Sequence, residues 1–194
     1  QGIPSPYVGA LEVAGDGSVW VGTRSGLVLL DPDTGEIWPG DPIDSDEGLP
    51  GDSVTCLALA PTGVLYVGTS GGLAALPAGA TVAAEVEEVH GLVTSLLVDH
   101  LSGVWAGTEG ALYCILPDGD IDVYNVFNSP LSDGSIRRLA LDPDEGYLYI
   151  TTGRGLWRAD LGVGLSTPGS QGPTLYPKPF LPALHGAARL AGMP

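Results

Sequence analysis

Gly17-Ser18-Val19-Trp20-Val21-Gly22-Thr23, followed at once by Arg24-Ser25-Gly26-Leu27, is the stretch that decides the fold. The chain contains three further copies of it, at residues 64–73, 104–111 and 147–156. Their closing threonines are Thr23, Thr69, Thr108 and Thr152, so the spacing is 39 to 46 residues. A repeat of about 40–45 residues that is rich in short strands is typical of a β-propeller blade.

Each copy is preceded by an apolar strand that aligns across the repeats. The matching positions are Val8, Val54, Val93 and Ile136; then Leu11, Leu57, Leu96 and Leu139; then Val13, Leu59, Val98 and Leu141. A glycine between this strand and the motif supplies the positive φ of a tight hairpin. The motif forms a second strand, a third follows its glycine turn, and a weaker fourth can be placed in every repeat except the last. We expect the four motif threonines to cap the second turn through their hydroxyls.

The sequence therefore predicts an all-β fold, a β-propeller-type array of about four four-stranded blades with an extended C-terminal tail. The four repeats would make either a small closed ring or a partial propeller. The predicted blades occupy residues 1–162, with repeats near 6–52, 53–91, 92–134 and 135–162. A linker rich in glycine, proline and serine follows at 163–175, and the tail, with one strand, at 176–194.

Composition limits the function classes. The net charge of −16, from 23 acidic and 7 basic residues, opposes binding to a phosphate backbone and argues against a nucleic-acid partner. No run reaches the roughly 18–20 apolar residues of a membrane-spanning helix. Since Gln1 is not an initiating methionine, we expect an upstream segment to have been removed; export with processing is the simplest explanation and trimming is the alternative.

The two cysteines, Cys56 and Cys114, fall on different strands of different repeats. Strands in those positions are about 10 Å apart or more, which is beyond the reach of a disulfide. We therefore predict two small buried thiols.

The candidate metal ligands are acidic. Asp31, Asp33 and Glu36 lie in Asp31-Pro-Asp33-Thr-Gly35-Glu36, where carboxylates alternate beside a glycine as they do around Ca²⁺. The pattern lacks the distant bidentate glutamate of a full calcium loop, and Asp-Pro-Asp-x-Gly is also a common β-turn. The sequence therefore predicts no cofactor, with calcium at Asp31, Asp33 and Glu36 as the alternative. The three histidines lie in unrelated contexts without zinc spacing, and no catalytic motif is present.

Two stretches resemble known families. Gly48-Leu49-Pro50-Gly51-Asp52-Ser53-Val54, with the strand, turn and Gly-Gly-Leu that follow, resembles the two-component-regulator propeller repeat, and the resemblance extends over residues 1 to about 160. It departs from that pattern at Ala111 and Thr151. The tail, Tyr176-Pro177-Lys178-Pro179-Phe180 and onward, is similar to the opening of Ig-like C-terminal modules of secreted bacterial proteins. That module would be cut short after its first strand, so the strand needs an external sheet edge.

The propeller resemblance implies a sensor ectodomain, but the unpaired tail strand and the count of four blades favour a different prediction. This is a non-catalytic recognition or assembly module of a periplasmic or extracellular bacterial protein, as an accessory or structural subunit of a larger complex. The tail would bind a protein partner or a neighbouring subunit through Tyr176, Phe180, Leu184 and Leu190. One alternative is a propeller ectodomain that senses a glycan-type ligand for a signalling system. A second is an enzyme, because streptogramin-lyase-type propellers share the Gly-x-Val-Trp strand and an Asp-x-x-x-Gly turn like Asp31 to Gly35.

Overall fold

A computed structural model of the protein describes residues 2–129, 131, 133–142, 146–161 and 174–176. These residues form an all-β structure of four antiparallel sheets with four strands each. Within them, no helix is long and apolar enough to span a membrane. The four sheets correspond to the four predicted repeats, which confirms the array of four-stranded blades.

The strands of each blade follow one another in chain order. Blade 1 contains β1 Val8–Val13, β2 Val19–Thr23, β3 Gly26–Leu30 and β4 Ile37–Ile43, and blade 2 contains β5 Val54–Leu59, β6 Leu65–Thr69, β7 Gly72–Leu76 and β8 Ala84–His90. Blade 3 contains β9 Val93–Val98, β10 Val104–Thr108, β11 Leu112–Ile115 and β12 Ile121–Tyr124, and blade 4 contains β13 Ile136–Asp142, β14 Tyr147–Thr152, β15 Gly155–Asp160 and β16 Thr174–Tyr176. Each blade is thus a four-stranded meander.

The motif threonines hold the turn between the second and third strands. The hydroxyls of Thr23 and Thr69 each donate to the carbonyl three residues later, at 2.9 Å, and Thr108 and Thr152 do the same at 3.0 and 3.3 Å. The same hydroxyls accept backbone N–H groups of the turn, as Thr69 does from Gly72 at 3.1 Å. The predicted capping role is confirmed.

Every first strand carries a β-bulge at the same position. The register against the second strand shifts across Gly9, Thr55, Thr94 and Arg137 in blades 1 to 4. A bulge increases local twist and redirects the side chains on either side of it. Because the bulge recurs at the same position in all four blades, the blades are copies of one structural unit. The pattern of apolar residues in the sequence does not reveal this bulge.

The apolar core is divided among three clusters, and each joins two consecutive blades. Trp20 and Leu27 of blade 1 pack with Leu57 and Val67 of blade 2. A second cluster joins blades 2 and 3, and a third joins blades 3 and 4. Apolar area that consecutive blades bury against each other therefore helps to stabilise the array.

The first strands lie side by side in chain order, β1 beside β5, β5 beside β9 and β9 beside β13. The sheets do not close into a ring. Of the two predicted arrangements, a small closed ring and a partial propeller, the described residues therefore form the partial one.

The fourth strand of blade 4 corrects the sequence interpretation. No strand was expected after β15, and residues 163–175 were expected to be a linker, yet Thr174–Tyr176 pairs with Arg158–Asp160 in antiparallel register. Tyr176, which was expected to begin the free tail, is thus part of the blade, with its backbone opposite Arg158. The remaining domain boundaries stay predictions.

Candidate functional site

The acidic turn that was weighed as a calcium site lies between β3 and β4. The backbone N–H groups of Asp33 and Thr34 donate to Asp31 Oδ1 at 2.9 and 3.2 Å. These hydrogen bonds, that from Thr34 first and that from Asp33 second in effect, hold the pKa of the exposed Asp31 carboxyl below its ordinary value of 3.8. The Asp31 carboxylate therefore stabilises the turn in which it lies.

Asp33 and Glu36 are also exposed on this turn. Across the residues that the structure describes, no group of three or more histidine, cysteine, aspartate or glutamate side chains could hold a metal ion. The geometry of the turn is that of a β-turn, and the predicted absence of a cofactor and the calcium alternative at Asp31, Asp33 and Glu36 both stay predictions.

The tail residues predicted to bind a partner divide in two. Tyr176 is in β16, where its backbone pairs with β15. Phe180, Leu184 and Leu190 lie outside the described residues. Partner binding by this tail stays a prediction.

The histidines of the described blades do not come together. His90 ends the outer strand of blade 2, and His100 lies in the β9–β10 turn of blade 3; both are exposed. His185 lies outside the described residues. Neither His90 nor His100 belongs to a group of three or more potential metal ligands among the described residues.

A buried carboxylate that sequence reasoning missed lies in blade 3. Asp99 Oδ1 accepts the backbone N–H groups of Leu101 and Gly103 at 2.8 and 2.9 Å, and Oδ2 accepts the indole N–H of Trp105 at 2.8 Å. Asp99 stands where blades 1 and 2 have Ala14 and Ala60, at the start of the same hairpin turn. The sequence contained one sign of this network: an aspartate, six residues before a tryptophan, at a position where two other repeats have alanine.

A small cleft opens beside this carboxylate. Its volume is about 60 Å³, and it is lined mainly by apolar groups that include Trp105, Cys114, Leu116 and Leu161. Ligand sites usually measure about 300–1,000 Å³, and the Asp99 oxygens already accept three hydrogen bonds. The cleft is therefore a packing irregularity next to a structural carboxylate rather than a binding site.

The thiols are free, as predicted. Cys114 is buried as expected, whereas Cys56 is only half-buried. Burial raises the pKa of Cys114 to about 12 and that of Cys56 to about 11. A raised thiol pKa lowers the fraction of reactive thiolate at neutral pH.

We expect both thiols to be unreactive in the native protein. At a pH of about 8, a thiol with a pKa of about 11 to 12 is thiolate to about one part in a thousand or less. Titration with Ellman's reagent should show almost no release from native protein and rapid reaction of both thiols in concentrated guanidinium chloride. Rapid reaction of one thiol under native conditions would contradict the raised pKa of that thiol.

The most distinctive surface is the open side of blade 1, which we call the open face: Val8, Leu11 and Val13 of β1. These side chains are 45, 62 and 64% exposed. The equivalent Val54 and Leu57 of blade 2 are 2 and 8% exposed, because they pack on blade 1. Leu96 and Val98 pack in the same way on the cluster shared by blades 2 and 3. The open face thus has the composition of an inter-blade surface.

Comparison with known proteins identified one family match and several similar solved structures. Residues 48–71 match the family described as two component regulator propeller. A search of curated proteins found no match.

Solved structures resemble the chain over most of its length. An extracellular domain described as part of a hybrid two-component system from B. thetaiotaomicron is 26% identical, with a TM-score of 0.65 over 86% of this chain and 22% of its own. A second such domain from that organism is 17% identical, with a TM-score of 0.67 over 88% of this chain and 26% of its own. A catalytically inactive virginiamycin B lyase from Staphylococcus aureus is 15% identical, with a TM-score of 0.61 over 81% of this chain and 54% of its own.

At 17 and 15% identity, the second domain and the lyase show the fold alone. The chain spans about a quarter of the two extracellular domains that it matches. The comparisons give no support to the Ig-like resemblance of the tail, which stays a prediction. The described residues therefore form an open array of four β-propeller blades, in which residues 48–71 are similar to the two component regulator propeller family.

Proposed function

We propose that this chain is a non-catalytic recognition and assembly module of an extracytoplasmic bacterial protein. The observation that carries the proposal is the open face, where Leu11 and Val13 are about two-thirds exposed although their equivalents in the other blades pack on a neighbour. Complete burial of a leucine or valine side chain stabilises a protein by about 1.5–3 kcal/mol. A row of three such side chains would therefore stabilise a complex in which a partner covers them.

Two findings support an extracytoplasmic location. The similar solved domains are described as extracellular, and the family matched at residues 48–71 is a regulator propeller. The net charge of −16 is also consistent with a surface that faces solvent, where repulsion between like-charged molecules keeps a protein soluble.

A second candidate is a ligand-sensing ectodomain of a signalling system. It is favoured by the 26% identity to a domain of a hybrid two-component system. A glycan ligand that binds the folded array would raise its melting temperature by mass action. Thermal-shift measurements with a glycan panel therefore separate this role from assembly alone.

The assembly role can be tested at position 11 in the bacterium that encodes the chain. We expect a photo-crosslinking amino acid at position 11, in place of Leu11, to give a discrete cross-linked product. The cross-linked protein should be accessible to added protease once the outer layers of the cell envelope have been opened. Val82 is the matched control, because it is an equally exposed apolar residue, at 62%, on blade 2 and away from the open face. Equal cross-linking at positions 11 and 82, or protein confined to the cytoplasm, would contradict the proposal.

A further inference from the structure

The three contacts between consecutive blades share one construction. The first residue of each later first strand packs against a glycine in the second strand of the preceding blade. An added Cβ at Gly22 would lie 2.4 Å from Cγ1 of Val54, one at Gly68 would lie 2.9 Å from Cγ1 of Val93, and one at Gly107 would lie 2.5 Å from Cγ2 of Ile136. The glycine is therefore a steric requirement of the contact, since such separations are not tolerated.

The bulge residue of the preceding blade completes the contact. The Thr55 hydroxyl lies 2.6 Å from the Val93 carbonyl oxygen of the next blade and 3.0 Å from the Gly68 carbonyl of its own, so it donates to either one. Thr94 makes the same pair of contacts, 2.7 Å to Ile136 and 3.0 Å to Gly107. Blade 1 has Gly9 at this position, where a Cβ would lie 2.4 Å from the Val54 carbonyl oxygen. An accepting blade thus combines a motif glycine with a small bulge residue.

Blade 1 retains the inserting half of this contact. Val8 is equivalent to Val54, and with Leu11 and Val13 it forms the open face, which is exposed at all three positions. The surface is built like those of the following blades, and no other blade among the described residues packs on it.

Blade 4 lacks the accepting half. Thr151 stands at the glycine position, and its hydroxyl donates to the Arg138 carbonyl of its own blade at 3.2 Å. Arg137 stands at the bulge, where it is exposed. An inserted valine would overlap the Thr151 side chain, because at Gly22, Gly68 and Gly107 the inserted residue occupies the space that a side chain would fill. The exposed Arg137 guanidinium would also lose its contact with water.

We infer that the open face binds the accepting side of a further propeller blade, one with glycine at the motif position and threonine or glycine at the bulge. Blade 4 of a second copy does not provide that side, because it has Thr151 and Arg137 at these positions. This inference rests on the proposed assembly function and identifies the chemistry of its partner.

The test restores an accepting blade in the whole chain. Purified R137T/T151G protein should associate head to tail, so that its sedimentation coefficient rises with concentration, while the wild type shows no association of this kind. L11D/V13D added to R137T/T151G should abolish the association. That quadruple variant, mixed with wild-type protein, should form a one-to-one complex, whereas L11D/V13D protein mixed with the wild type should form none.

Two results would overturn the inference. One is an R137T/T151G protein that sediments like the wild type although its circular dichroism is native. The other is a wild-type oligomer that L11D/V13D disrupts, since blade 4 would then be an accepting blade. If the double variant loses its native spectrum, R137G/T151G, which has glycine at the bulge as blade 1 has at Gly9, decides between the same results when it is tested in the same way. A non-propeller protein cross-linked at Leu11 would also overturn the inference while leaving the assembly function intact.

Discussion

Replacement of Gly107 by valine should lower the free energy of unfolding by about 3 kcal/mol or more, because overpacking of a tight contact costs about 1–3 kcal/mol and sometimes more. The first added atom would already lie 2.5 Å from Cγ2 of Ile136, which is itself fully buried. Valine adds two further methyl groups in the same space. Urea denaturation followed by tryptophan fluorescence measures the change.

Gly110 provides the control for this substitution. It lies three residues later in the same blade, no heavy atom is within 4 Å of an added Cβ, and its φ is not in the left-handed region. We expect Gly110→Ala to change stability by no more than about 0.5 kcal/mol. Similar losses in Gly107→Val and Gly110→Ala would show that blades 3 and 4 do not meet as described.

Asp99→Ala should also lower the free energy of unfolding, by about 2–4 kcal/mol. The substitution leaves three donors without their acceptor, the N–H groups of Leu101, Gly103 and the Trp105 indole. A buried donor that loses its acceptor costs about 1–3 kcal/mol. Thermal and urea unfolding give the magnitude, and a red shift of tryptophan emission would report entry of water at Trp105.

The matched control is Asp118→Ala in the β11–β12 turn of the same blade. Asp118 is exposed, and its carboxylate accepts one backbone N–H, from Asp120 at 3.2 Å. We expect a loss of no more than about 1 kcal/mol there. Equal losses at the two positions would mean that the Asp99 network contributes nothing beyond an ordinary turn.

The blades were predictable because their signals are local. A motif such as Gly17 to Thr23 specifies a strand and its turn within a few residues, and the threonine caps bridge only three positions. The fourth strand of blade 4 could not be found in this way, because Thr174–Tyr176 is three residues long and begins fourteen positions after β15 ends. Ring closure was likewise left open, since it depends on whether β1 and β13 meet, and neither strand encodes that contact locally.

The candidate sites were less predictable for a related reason. The sequence drew attention to Asp31 and to the tail after Tyr176 because they depart from the repeat. The open face does not depart from it: Leu11 and Leu57 are the same residue at the same position, and only the neighbouring blade makes one exposed and the other buried. The informative departures, Arg137 and Thr151, became interpretable only when the contacts made by Thr94 and Gly107 were known.

The three core clusters, each shared by two consecutive blades, have a consequence for how the chain comes apart. Its stability should behave as a one-dimensional series of nearest-neighbour couplings, in which an inner blade is held from both sides and a terminal blade from one. Loss of the contact between two blades would separate the array into two parts that unfold independently, instead of destabilising all four blades equally. Hydrogen exchange should then show protection that declines stepwise from the inner blades outward, with the seams between blades as the boundaries of cooperativity.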